Sequence, residues 1–333
     1  MKKALLMATF SLLFSVPATS LEKEVVRVYS SRKEHLVSSL FKAFEKETNI
    51  KVDYLTGKDA PLLQRLKTEG KNTSADLLMT VDAGNLYFAE KEGLLQAAKK
   101  TDNLLEIPTH LHSPTLSWFA LSKRARTIAY NPSLVKKSEL ESYEGLANSK
   151  WKNKLCLRTS KKVYNQSLVA MMIGRLGEKK AAETIQGWVS NLAHPVFSSD
   201  TELLKAINAG TCALGIVNTY YLGRMQKKDP FVNIKLFWPS LQNGGVHINI
   251  SGAGITKHAK NKEKAQTLLN WLSGKKAQEL YAGLNLEYPV LPETTLDPIV
   301  QAWGDFEEDP TPLYKAGELQ IEAIKLMEKN NYK

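Results

Sequence analysis

Three tyrosines are the residues of this 333-residue chain whose placement could do chemistry. Tyr220 and Tyr221 follow the apolar run Ala213-Leu214-Gly215-Ile216-Val217 and two small polar residues, Asn218 and Thr219. Such a run reads as a buried strand, and side chains just past its end lie at the sheet edge where open α/β folds keep their ligand crevice. Tyr164 belongs to a second turn, Ser160-Lys161-Lys162-Val163-Tyr164-Asn165-Gln166-Ser167, after the strand-like segment Lys154–Arg158. If the two strands run parallel, both end at one edge and the three phenols meet. Phenols in such a place suit packing, an interface, or ligation of a hard metal ion. A phenol titrates near ~10, so three buried phenolates need a cation to offset them. A trivalent ion supplies that charge, and Fe(III) matches the hardness of oxygen anions. The free N–H groups that open the helix after Lys162 are a natural anion site.

The elements that must position these residues follow an α/β order. Glu24–Ser30, Ile50–Leu55 and Ala75–Val81 read as strands, separated by helical segments that carry Leu36, Leu40, Phe41 and Phe44, then Leu62, Leu63 and Leu66. Ser31 and Glu34 have the spacing of a capping box for the first helix, and Asp82 that of an N-cap for the third. Trp118–Tyr130 and Val246–Ile255 read as extended crossovers between a first lobe and a second, in which strands and helices resume from Lys154. The expected boundaries are residues 21–120 with about 250–300 for one lobe, and 121–249 with about 301–333 for the other. A last helix is expected from Leu313 to Met327. Two α/β lobes joined by extended crossovers form a hinged clamshell that closes on a ligand.

Residues 1–20 have the form of a cleavable export signal, with Lys2 and Lys3, an apolar run from Ala4 to Val16, and small residues at Ala18 and Ser20. Removing them takes away two lysines and no acid, so the formal charge falls from +11 to +9. The lysines are scattered, which reads as a solvated surface, and expected export argues against nucleic acid. Cys156 and Cys212 each open a strand-like run; in an oxidising compartment they either pair or remain thiols. No G-x-G-x-x-G or Walker loop is present, and no Ser/His/Asp or paired-carboxylate set points to an enzyme. His110 and His112 have H-x-H spacing but lack the further ligands that zinc requires.

Four segments, Val28-Tyr29-Ser30-Ser31-Arg32, Leu78-Met79-Thr80-Val81-Asp82-Ala83-Gly84, Tyr164-Asn165-Gln166-Ser167-Leu168-Val169-Ala170 and Asn218-Thr219-Tyr220-Tyr221-Leu222-Gly223-Arg224, resemble the periplasmic ferric-iron-binding proteins of ABC importers. The resemblance implies a class II periplasmic-binding-protein clamshell of the transferrin-like type. It implies Fe(III) as cargo, Tyr164, Tyr220 and Tyr221 as its phenolate ligands, and an ABC permease as partner of a periplasmic monomer. Many relatives carry His or His-Tyr directly after the segment ending at Arg32, where this chain has Lys33-Glu34, with His35 one place further on. His35 and Glu34 are therefore the candidates for an extra ligand, against a surface role for the first and capping for the second. A carbonate-like anion is the other way to complete the coordination. Arg32 and Arg124 match an oxyanion in two-point geometry, with Ser160, Thr159 and Asn218 as further donors. Arg124 and Arg126 read equally as surface charges flanking a strand. Two alternatives stay open: a receptor of the same fold for a polyamine, sulfate or thiamine, with the tyrosines as a stacking wall, and an exported enzyme using Glu34 or Asp82.

Overall fold

The computed structural model describes residues 24–333, and the expected export signal lies outside them. Nine strands are found among the described residues: β1 (Val25–Ser30), β2 (Lys51–Thr56), β3 (Leu77–Thr80), β4 (Leu95–Gln96), β5 (Phe119–Tyr130), β6 (Leu155–Cys156), β7 (Leu214–Asn218), β8 (Lys235–Phe237) and β9 (His247–Thr256). They join in the order β2-β1-β3-β9-β5-β7-β6, with β4 added to β9 and β8 to β5.

One half is the parallel set β2-β1-β3, closed by antiparallel β9, which pairs Leu77 of β3 with Ile255. Its first helix, Glu34–Thr48, buries Val37, Leu40, Phe41 and Phe44, the stripe that a 3.6-residue period places on one face. In the other half β7 lies antiparallel to the end of β5 and parallel to β6. The parallel β6–β7 pairing brings both strand ends to the same edge, as the tyrosine argument requires.

β5 and β9 are the two extended crossovers expected from the sequence. They pair with each other from Phe119–Ala253 to Arg126–His247, with a bulge between Ala120 and Ser122, and each belongs to both halves. One core gathers Phe41, Phe44, Leu78, Leu268 and Tyr281. A second gathers Trp151, Leu168, Trp188, Leu214 and Leu326. The architecture is therefore the two-lobed α/β arrangement. Cys156 and Cys212 pair, with Cα atoms 5.8 Å apart, and staple the start of β7 to its neighbour β6.

Three local readings are corrected. Ser31 does not cap the first helix: that helix starts at Glu34 with Lys33 at the N-cap, and the Ser31 hydroxyl instead accepts from the Val81 N–H at 3.1 Å. The last helix is two, Tyr314–Glu318 and Gln320–Lys329, broken beside Gly317, whose bare backbone abuts the Tyr87 ring. Arg124 and Arg126 are not surface charges; they are 4% and 1% exposed, inside the crossover.

Candidate functional site

Tyr220 and Tyr221, just past the end of β7, occupy the first turn of a helix, Thr219–Lys228, that the apolar pattern alone did not announce. Tyr164 lies in the first turn of the helix Val163–Leu176. Arg126 of β5 holds the two helix starts together. Its guanidinium donates to Asn165 Oδ1 at 2.6 and 3.0 Å and to Asn218 Oδ1 at 3.1 Å, and pairs with buried Asp200 at 3.1 Å. The residue beside Tyr164 and the residue two before Tyr220 thus share one buried cation, which fixes the spacing of the phenols.

All three tyrosines line one cleft of about 940 Å³ between the halves of the sheet, far larger than the ~30 Å³ share of one water. The Tyr220 and Tyr221 rings lie 4.4 Å apart, and Asn218 Nδ2 donates to the Tyr220 hydroxyl at 3.3 Å. Four cations surround the phenols. The Lys162 ammonium lies 4.9 Å from the Tyr164 ring centroid, the Arg124 guanidinium 5.5 Å and the Arg158 guanidinium 5.7 Å, while Arg224 lies 4.9 Å from that of Tyr220. Burial pushes the Tyr220 phenol well above its usual value, and the neighbouring Tyr164 and Tyr221 oxygens add to this against the Arg124 charge. Without a further cation, Tyr220 stays protonated; a metal ion reverses that balance. Lys162 is lowered, first by burial and then by the charge of Arg158.

The opposite wall carries Arg32, His35, Asp59 and Glu287. Arg32 lines the cleft but is committed elsewhere: its fork binds the Glu287 carboxylate at 2.9 and 3.1 Å and also donates to Ser251. Arg124 donates to the Val81 carbonyl, and its Nε is buried without a partner. His35 is exposed on the rim. Glu34 and Ser160 are not on the cleft wall. The Glu34 carboxylate accepts from the Tyr54 hydroxyl at 3.3 Å, and the Ser160 N–H donates to the Lys333 carbonyl at 2.9 Å. Thr159 Oγ1 accepts from the Lys161 N–H at 3.3 Å. Asp82 caps its helix through Gly84 as expected and also binds Ser167 and Asn249. His110 faces Glu308 and His112 the Ser113 carbonyl; among the described residues no His/Cys/Asp/Glu cluster suits a metal.

Sequence reasoning missed Arg158, Arg224, Asp59 and Glu287. Arg158 was visible as the last residue of the strand-like segment before the Tyr164 turn, and Arg224 only as the last residue of the segment that begins at Asn218. Asp59 opens the helix Asp59–Glu69, and its place in the sequence marks nothing beyond that. Glu287 gave no signal, because its partner Arg32 lies at the other end of the chain.

A cleft between two α/β halves, lined by side chains from helix starts and crossed by two hinge strands, defines a two-lobed solute-binding protein. The chain belongs to the bacterial extracellular solute-binding protein family, whose pattern matches residues 39–308. It is 38% identical over 318 residues to iron uptake protein A1 of Synechocystis, covering 94% of this chain and 88% of that one. Among solved structures it is similar to the Trichodesmium protein IdiA, or FutA, in complex with iron and citrate ligands, at 40% identity and TM-score 0.88, covering 93% and 100% of the two chains. It is also similar to the ferric binding protein from Campylobacter jejuni, at 32% identity and TM-score 0.86, covering 92% and 100%. The names of these three proteins concern iron uptake and the binding of iron.

Proposed function

We propose that this protein captures Fe(III) through the phenolates of Tyr164, Tyr220 and Tyr221, closes its lobes on the ion, and delivers it to an ABC permease. The observation that carries the reading is the convergence of three phenols from two helix starts in one cleft, beside cations that favour their ionised form. A small anion, carbonate or another, completes the coordination; Arg124, Arg158 and the N-terminus of the Val163–Leu176 helix are its supports, with Asn218 fixing the Tyr220 hydroxyl. Arg32 acts through Glu287 rather than on the anion directly. In this reading the lobes that close are residues 21–120 with about 250–300 and residues 121–249 with about 301–333. The protein works as a periplasmic monomer after loss of residues 1–20 and performs no catalysis.

Metal-stripped protein titrated with ferric citrate at neutral pH tests this. A visible phenolate-to-iron charge-transfer band is expected, weakened in Tyr220→Phe, Tyr221→Phe and Tyr164→Phe. Absence of colour in the presence of excess bicarbonate overturns the ferric reading, and a full band in Tyr164→Phe removes that residue from the site. The same cations also suit an oxyanion receptor, which calorimetry with sulfate or phosphate in the absence of iron would reveal.

A further inference from the structure

The three phenols all belong to one side of the cleft, and this raises the question of what the ion touches on the other. A ligand shifts a conformational equilibrium only by its differential affinity for the two states. An ion held by one lobe alone gives the open and closed forms nearly the same contacts, so the opposite wall must supply a donor for capture to drive closure.

Four groups there could ligate. Glu287 is taken by Arg32 and by Ser122, which donates to it. Glu92 is paired with Lys67 at 2.5 Å on the half-exposed rim. His35 is exposed. Asp59 differs from all three: its Oδ1 is buried without a hydrogen-bond partner, and among the described residues its carboxylate forms no ion pair. It lines the same cleft as Arg124 and Lys162, the cations that lie 5.5 and 4.9 Å from the Tyr164 ring.

We propose that Asp59 is the carboxylate ligand by which the first lobe grips the captured ion; this rests on the ferric reading above. A carboxylate oxygen is hard and suits Fe(III). An unpartnered buried oxygen is costly in the empty protein, and a trivalent cation removes that cost. The four cations around the phenols leave the site short of negative charge once three phenolates are matched by the ion, and Asp59 supplies one more. Burial raises the Asp59 carboxyl above its usual range, with the Arg124 charge opposing it. The competing explanation is that Asp59 merely favours the start of the helix Asp59–Glu69 through its dipole.

The two are separated by titrating wild type, Asp59→Asn, Asp59→Glu and Glu92→Gln with ferric citrate and then challenging each with a competing chelator. Asp59→Asn is expected to keep a tyrosinate band, because the phenols remain, but with a shifted maximum. Its iron retention should fall by at least the roughly 10–100-fold that losing a partner one shell further out costs. Asp59→Glu recovers part of the retention, and Glu92→Gln matches wild type. An unshifted band and wild-type retention in Asp59→Asn overturn the proposal. A colourless wild-type protein instead sinks the ferric reading itself. Should Asp59→Asn fail to fold, crystals of the iron-loaded wild-type protein decide the matter without any substitution: an Asp59 carboxylate in contact with the iron supports the proposal, and one left away from it overturns it.

Discussion

Replacing Glu287 by Gln strands a buried charge. Arg32 is 2% exposed and Glu287 3%, and the pair is joined by two hydrogen bonds of 2.9 and 3.1 Å. Ser122 on β5 and Ser251 on β9 bind it from the hinge strands. Removing one partner of such a pair costs about 3–5 kcal/mol, because the other stays buried and uncompensated. At about 2.1 cal/mol/K per residue, the roughly 310 described residues unfold with an entropy near ~0.65 kcal/mol/K, so Tm should drop by about 5–8 °C. Thermal melts of metal-free wild type and Glu287→Gln at pH 7 measure this. The double substitution Arg32→Met with Glu287→Gln should recover much of the loss, since it removes the stranded charge. A single-variant loss below about 1 kcal/mol, or a double variant as unstable as the sum of the two singles, would refute the argument. The same pair sets an acid limit. Burial pushes the Glu287 carboxyl up, but the Arg32 and Arg124 charges and the Arg32 and Ser122 hydrogen bonds outweigh it and hold the group below its usual range. Its contribution is therefore complete above the unfolded value of ~4.3 and is lost as pH falls through the lower folded value.

Two more outcomes are expected. His247 on β9 is buried with both ring nitrogens unpartnered, and burial followed by the Arg126 and Arg124 charges lowers it from 6.5 to about 3. The unfolded chain takes up this proton below ~6.5 while the folded protein does not, so stability declines as pH falls from about 6.5 to about 3, by roughly 4–5 kcal/mol in all. Urea unfolding at a series of pH values should show this slope in wild type and a flatter one in His247→Leu; equal slopes would show that His247 does not drive it. The disulfide closes a loop with a sequence separation of 56, for which chain entropy gives about 4 kcal/mol. The Cys156→Ser/Cys212→Ser double variant should lose roughly 2–4 kcal/mol in denaturant unfolding, and an unchanged midpoint would contradict it.

What was legible in the sequence was whatever depends on near neighbours or on period. The alternation in Glu24–Ser30, the helical stripe through Phe41 and Phe44, and the two long extended crossovers all fall within a residue or two of their places, because hydrophobic period reports burial directly. The convergence of Tyr164 with Tyr220 and Tyr221 was legible for a different reason: parallel neighbours end at the same edge. The opposite wall was not legible. Ser31 and Glu34 have the spacing of a capping box, yet the Val81 N–H competes for the Ser31 hydroxyl and wins, which only the tertiary pairing of β1 with β3 makes possible. The Arg32–Glu287 pair and the free oxygen of Asp59 likewise depend on contacts between distant segments, which no local pattern encodes.

The two hinge strands also decide how the protein can be assembled. Leu77 of β3 waits for Ile255 of β9, so the sheet of the first lobe stays one strand short until the long intervening segment that builds most of the second lobe has emerged. The second lobe waits in turn, since its core includes Ala323, Leu326 and Met327 from the far end of the chain. Neither lobe is a contiguous stretch, and neither can be cut out and expected to fold alone. Contacts this distant in sequence form slowly, because loop closure must precede their reward. A nascent chain of this topology stays loose until nearly all of it is available, so unlike a chain of contiguous domains it cannot complete one half while the other is still being made.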